Sequence, residues 1–144
     1  MSQTIEFPFS YPYQVGEHGS GHLFRPLITV RLIYGKRSSR IPSLLDTGAD
    51  ISAFNAVWAS RLGIDLTTLP TRELSGIGKA IGYQCIVQLK FGPLPDPVRC
   101  EVLFVEDLRL GRATGFLGRM GAFENLIIAF NETDREVYMR LGHV

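Results

Sequence analysis

The chain has little of what would tie it to several common functions. Only two cysteines, Cys85 and Cys100, occur in 144 residues, too few for a disulfide framework. Each falls in an alternating apolar stretch, where a buried thiol is expected. Of the three histidines, His18 and His22 have a ligand spacing for a helix, but Gly19 and Gly21 argue against helix there. No metal site is expected, and no His/carboxylate cluster supports a metal-dependent hydrolase. Neither sign of charge dominates: 15 basic against 14 acidic residues leave a formal +1, so nothing electrostatic argues for nucleic acid or an anionic membrane as partner. No apolar run approaches the ~20 residues of a membrane helix. The stretch from Met1 to Glu6 lacks the basic start and apolar run of a signal peptide, so a cytoplasmic location is expected.

What is present reads as one globular domain, 45% hydrophobic and 20% charged, long enough for its own core. Residues 1–22 read as an N-terminal extension, irregular around Pro8, Pro12 and Gly16. The alternation Phe7, Phe9, Tyr11, Tyr13 would also allow an edge strand there. The domain proper is expected over 23–144. Leu27–Tyr34 alternates as a strand, with Ile28, Val30, Leu32 and Tyr34 on one face. A polar turn at 35–39 then leads into a second strand from Arg40 to Leu45. The basic cluster Lys36, Arg37 and Arg40 reads as a solvated hairpin tip. Asn55 is expected to cap a short helix, Ala56 to Leu62, that ends at Gly63 and buries Val57, Trp58 and Leu62. Further strands are expected from Cys85 to Phe91, Val98 to Phe104, Leu126 to Phe130 and Glu136 to Leu141. Many short strands with turn signals between them, and one or two short helices, predict an all-β closed, barrel-like sheet.

The organising stretch is Leu44-Leu45-Asp46-Thr47-Gly48-Ala49-Asp50. An apolar strand ends on a carboxylate, followed by a hydroxyl and a glycine that allow a tight turn. An acid at the mouth of a buried strand is costly unless donors satisfy it or it does chemistry. An Asx turn, in which Asp46 only accepts backbone N–H groups, is the plain structural alternative. Downstream, Leu74-Ser75-Gly76-Ile77-Gly78-Lys79-Ala80-Ile81-Gly82 reads as a glycine-rich hairpin tip. Its glycine spacing is one residue off the dinucleotide fingerprint, and a strand follows where a helix should open, so a nucleotide loop is not expected. Later, Gly115-Phe116-Leu117-Gly118-Arg119 places two apolar residues before a glycine.

Together these three elements, in this order from Leu27 to Leu141, resemble the retropepsin-like aspartic proteases, which include the retroviral enzymes. The resemblance implies a catalytic loop at Asp46, Thr47 and Gly48, with Ala49 and Asp50 lining the substrate cleft. It makes the glycine-rich hairpin a flap, with Gly76, Ile77, Gly78 and Ile81 near bound peptide. Phe116, Leu117, Gly118 and Arg119 would form the supporting strand, Arg119 pairing with Asp50 in a partly buried ion pair. Lys79 departs from the retroviral pattern, where another glycine is usual.

Aspartic proteolysis needs two carboxylates sharing one proton, so that one draws a proton from water and the other polarises the carbonyl. Asp65, Asp96, Asp107 and Asp134 all lack the Thr/Ser-Gly continuation, so each chain offers only Asp46. A two-fold homodimer that sets Asp46 opposite its copy supplies the pair, as the resemblance also implies. The expected function is cleavage of extended peptides, with no cofactor. The alternative is a dimeric peptide-binding or scaffolding module on the same fold.

Overall fold

The computed structural model describes residues 4–18, 21–74 and 80–142. Among the described residues, twelve strands and one short α-helix follow in order: β1 Phe9–Pro12, β2 Gln14–His18, β3 Gly21–Arg25, β4 Leu27–Tyr34, β5 Arg37–Leu45, β6 Ser52–Asn55, α1 Val57–Arg61, β7 Thr71–Leu74, β8 Ala80–Phe91, β9 Val98–Val105, β10 Gly115–Leu117, β11 Leu126–Asn131 and β12 Glu136–Leu141. Six strands close on themselves in the order β4-β5-β10-β6-β9-β8, the ring being completed by a β4–β8 pairing, and β7 extends it beyond β8. The expected all-β closed barrel is the observed architecture.

Two pairings in this ring, β10 with β5 and β6 with β9, are parallel. Parallel neighbours need crossover connections, and here these span residues 46–114 and 56–97. β6 over 52–54 and β9 over 102–105 are buried on both faces, whereas Arg99 and Glu101 earlier on β9 are exposed. Phe54 and Phe104 point into the main core, while Ala53, Leu103 and Val105 form a second, smaller cluster with Phe116. The alternation of Cys85, Val87, Leu89 and Phe91 also holds, all four being buried.

A separate three-stranded sheet, β1-β12-β11, packs at one side. β1 is its edge strand, registered Phe9↔Met139 to Pro12↔Glu136, and Tyr13 just beyond it is buried in the main core. The β2–β3 hairpin runs through positions 22 and 23, where the sequence suggested that the extension gives way to the domain.

Several local expectations shift. β5 starts at Arg37 rather than Arg40, because the hairpin closes with only Gly35 and Lys36 between Tyr34↔Arg37. Tyr34 is 41% exposed, since it sits at the strand end beyond the covered part of the face. The basic tip divides: the Arg37 guanidinium lies against Gly63, and Arg40 sits near enough to Tyr11 to oppose the upward pull of burial on its phenol. In α1 Ala59 is buried, as is Leu62 just past its end, whereas Trp58 is half-buried and Val57 is 48% exposed. The N-cap position is Ala56, with no side-chain cap, while Asn55 before it accepts from Val57 N–H at 3.0 Å and donates through Nδ2 to Leu108 O at 2.9 Å. Gly63 ends the helix as expected, in the left-handed region at φ 72° that glycine adopts without strain.

Candidate active site

Asp46 follows β5 directly. Its N–H donates to Leu117 O at 2.9 Å, so the parallel β5–β10 pairing carries on to the carboxylate-bearing residue. Gly48 N–H donates to Asp46 Oδ1 at 3.0 Å, and Ala49 N–H donates to Asp46 O at 3.2 Å. These bonds close a tight turn that leaves Asp46 and Ala49 half-buried and Thr47 and Gly48 exposed. One backbone donor and partial exposure relieve the cost of placing a carboxylate at the barrel end.

The supporting strand is held by close packing. Phe116 pairs with Leu44 on one side and Ala53 on the other, and Leu117, fully buried, pairs with Leu45. At Gly118 a Cβ would overlap the Ile51 carbonyl oxygen and reach 2.7 Å from Ala49 O. Only glycine lets the two segments approach this closely. Gly118 N–H donates to Ser52 Oγ at 3.0 Å, and that hydroxyl donates on to Met120 O at 3.2 Å. Arg119 and Met120 N–H groups donate to Ala49 O and Asp50 O, each at 2.9 Å. Ser52 was not singled out in the sequence. Its signal is a hydroxyl inside the apolar run Ile51 to Phe54, a polar group whose burial requires partners.

Arg119 and Asp50 do meet, at 3.8 Å, but their side chains are 72% and 84% exposed in the chain. The expected partly buried ion pair is therefore corrected. The backbone bonds just described join these two loops, leaving both side chains at the surface, where such a pair contributes only about 0–1 kcal/mol.

Asp46, Gly48, Ala49 and Asp50 line a cleft of about 530 Å³ together with Phe116. Its walls come from the end of β7, the start of β8 and the 106–110 loop. Two of its features escaped the sequence reading: the charged pair Arg72 and Glu73 on β7, and Glu106, Asp107 and Arg109 in the loop. Asp107 adopts a left-handed φ of 59°, a conformation more accessible to Asp and Asn than to most side chains. Ile81 lies one residue past the cleft-lining Ala80 and is 58% exposed without lining the cleft in the single chain. Gly76, Ile77 and Gly78, together with Lys79, lie outside the described residues. A wider groove of about 670 Å³ between Phe7, Leu94 and Leu141 contains none of the candidate site residues. The chemistry-bearing groups gather in the Asp46 cleft.

A closed β-barrel with a carboxylate turn at one end, braced by an apolar-apolar-glycine strand, is the fold of the retropepsin-like aspartic proteases. The chain aligns with a retropepsin-like aspartic protease from Rickettsia conorii at a TM-score of 0.61 and 17% identity, over 94% of this chain and 96% of that one. It is also similar to EIAV protease, solved in complex with the inhibitor HBY-793, at a TM-score of 0.49 and 21% identity, over 66% and 82% of the two chains. No family model and no curated protein matches the sequence.

Proposed function

We propose that the chain is an aspartic endopeptidase that works as a homodimer, each subunit contributing Asp46 to a shared pair. The observation that carries this reading is the placement of Asp46: the acid stands at the end of a buried strand, half-exposed, in a cleft of about 530 Å³. In the pair, the ionised carboxylate takes a proton from water and the protonated one polarises the peptide carbonyl. Thr47 would tie the two loops across the axis and Gly48 would bind substrate backbone. Ala49, Asp50 and the flap residues Gly76, Ile77, Gly78 and Ile81 would bound the peptide, and Phe116 to Arg119 would brace the loop.

The bond from Gly48 N–H to Asp46 Oδ1 is also what a purely structural Asx turn makes, which supports the second reading of a peptide-binding module without proteolysis. One substitution separates the two. Asp46→Asn keeps the oxygen that accepts from Gly48 and removes the charge. Cleavage of a peptide library by the purified protein should fall by at least about a hundredfold in Asp46→Asn, with an unchanged melting temperature. Activity within tenfold of the unsubstituted protein would remove Asp46 from the chemistry, and library binding without any cleavage by the unsubstituted protein would favour the binding module.

A further inference from the structure

We propose that the Asp46 cleft selects peptides carrying lysine or arginine beside an apolar residue at the bound centre; this rests on the peptide-cleaving reading above and adds a substrate class to it. The apolar part follows from the smaller cluster. Ala53, Leu103, Val105 and Phe116 are buried, but Leu74, Ala80 and Leu108, which pack against them, are only half-buried and line the cleft. An apolar side chain entering there removes further surface from water.

The basic part follows from the walls. Five carboxylates, from Asp46, Asp50, Glu73, Glu106 and Asp107, line the cleft against two guanidiniums, from Arg72 and Arg109. Asp50 is matched by Arg119, whereas among the described residues Glu73, Glu106 and Asp107 have no ion-pair partner. The whole chain carries a formal +1, so the negative excess belongs to the cleft and not to the molecule. A cleft lined by one sign of charge focuses its potential and raises the local concentration of the opposite sign. The bond from Asn55 Nδ2 to Leu108 O fixes the loop that carries Glu106 and Asp107 against the barrel. In a two-fold dimer each of these charges is present twice, save that of Asp46, whose pair shares one proton.

The test uses the full chain and three fluorescent peptides with the same Leu-Phe centre, flanked on both sides by Lys, Gln or Glu. Binding is read by anisotropy and cleavage by chromatography, at low and at high salt. The Lys peptide should bind, or be cut in terms of kcat/KM, at least about tenfold better than the Glu peptide at low salt, and this ratio should shrink several-fold at high salt as screening sets in. In Glu73→Gln/Glu106→Gln/Asp107→Asn the Lys-to-Glu ratio should collapse; Asn at 107 keeps the left-handed backbone. The salt series on the unsubstituted protein decides the matter even if that variant folds poorly. Equal handling of Lys and Glu peptides, or a preference for Glu, in both measurements overturns the inference. Salt-sensitive preference for Lys in binding with no peptide cut upholds the charge selection while removing the peptidase reading.

Discussion

The two apolar clusters of the molecule are built from neighbouring residues of the same strands, yet they have different surroundings. On β6 and β9, Phe54 and Phe104 turn into the barrel, where Val30, Leu32, Leu89 and Phe91 enclose them completely. Ala53, Leu103 and Val105 turn the other way, and their cover is a fringe of half-buried side chains along the Asp46 cleft. The sealed cluster has no surface left to offer a ligand and can only contribute stability. The fringed one has lower burial to lose and surface still to cover, which suits a binding wall.

Truncation on each side of β6 and β9 should separate these roles most sharply. Phe54→Ala removes a fully buried ring and should cost about 3–5 kcal/mol, measured by denaturant unfolding. Leu108→Ala, on the half-buried fringe, should cost no more than about 1–2 kcal/mol while weakening peptide binding. If the two variants unfold at the same denaturant concentration, the fringe is as load-sharing as the barrel core and the contrast fails.

Gly118→Ala probes the seam where the strand feeding both clusters meets the Asp46 loop. The added methyl group meets the Ile51 and Ala49 carbonyl oxygens, so one segment must move, at about 1–3 kcal/mol. Because that movement displaces Asp50 and the turn before it, peptide cleavage should fall by more than the stability loss alone explains. A variant with unchanged melting temperature and unchanged kcat/KM would show that the two segments are not held against each other in solution.

The smallest effect concerns pH. The barrel cluster encloses Cys100, whose thiol burial pushes up from 9.0 to about 12, with Glu124 and Glu101 adding to the rise. Burial raises Cys85 too. A native thiol that holds its proton more tightly than the unfolded one contributes stability fully present below about pH 9. That stability is lost as pH climbs toward 12, with a limiting slope of about 1.4 kcal/mol per pH unit. Denaturant midpoints taken from pH 8 to 10 should decline, and Cys100→Ala should flatten the decline. The fringed cluster contains no thiol, so Leu108→Ala should leave the slope as it is.

Much of the barrel could be read from the chain because its signals are local. Leu27–Tyr34 and Glu136–Leu141 have the expected bounds, since alternation at period two and flanking turn residues act over a few positions. The Asp46 turn and the Gly118 strand were legible for the same reason. Each depends on what consecutive residues allow the backbone to do. Errors arose where phase or exposure depends on a distant partner. Trp58 is held half-buried by a bond to the distant Thr114, the basic tip splits where Arg37 lies against Gly63, and the loops of Asp50 and Arg119 are joined by backbone bonds that leave both side chains exposed.

The sequence by itself determined that a carboxylate ends a buried strand in a tight turn, that the chain has one such acid, and that the strand belongs to a closed β sheet. Tertiary structure alone decided that β1 pairs with β12, that the 102–105 half of β9 is covered on both faces, and that Glu73, Glu106 and Asp107 line the same cleft as Asp46. The reason is the range of the forces involved. Backbone preference and alternation are settled within a strand or a turn, whereas the neighbours of a side chain across a cleft are set by strand order and loop docking, which join residues far apart in the chain.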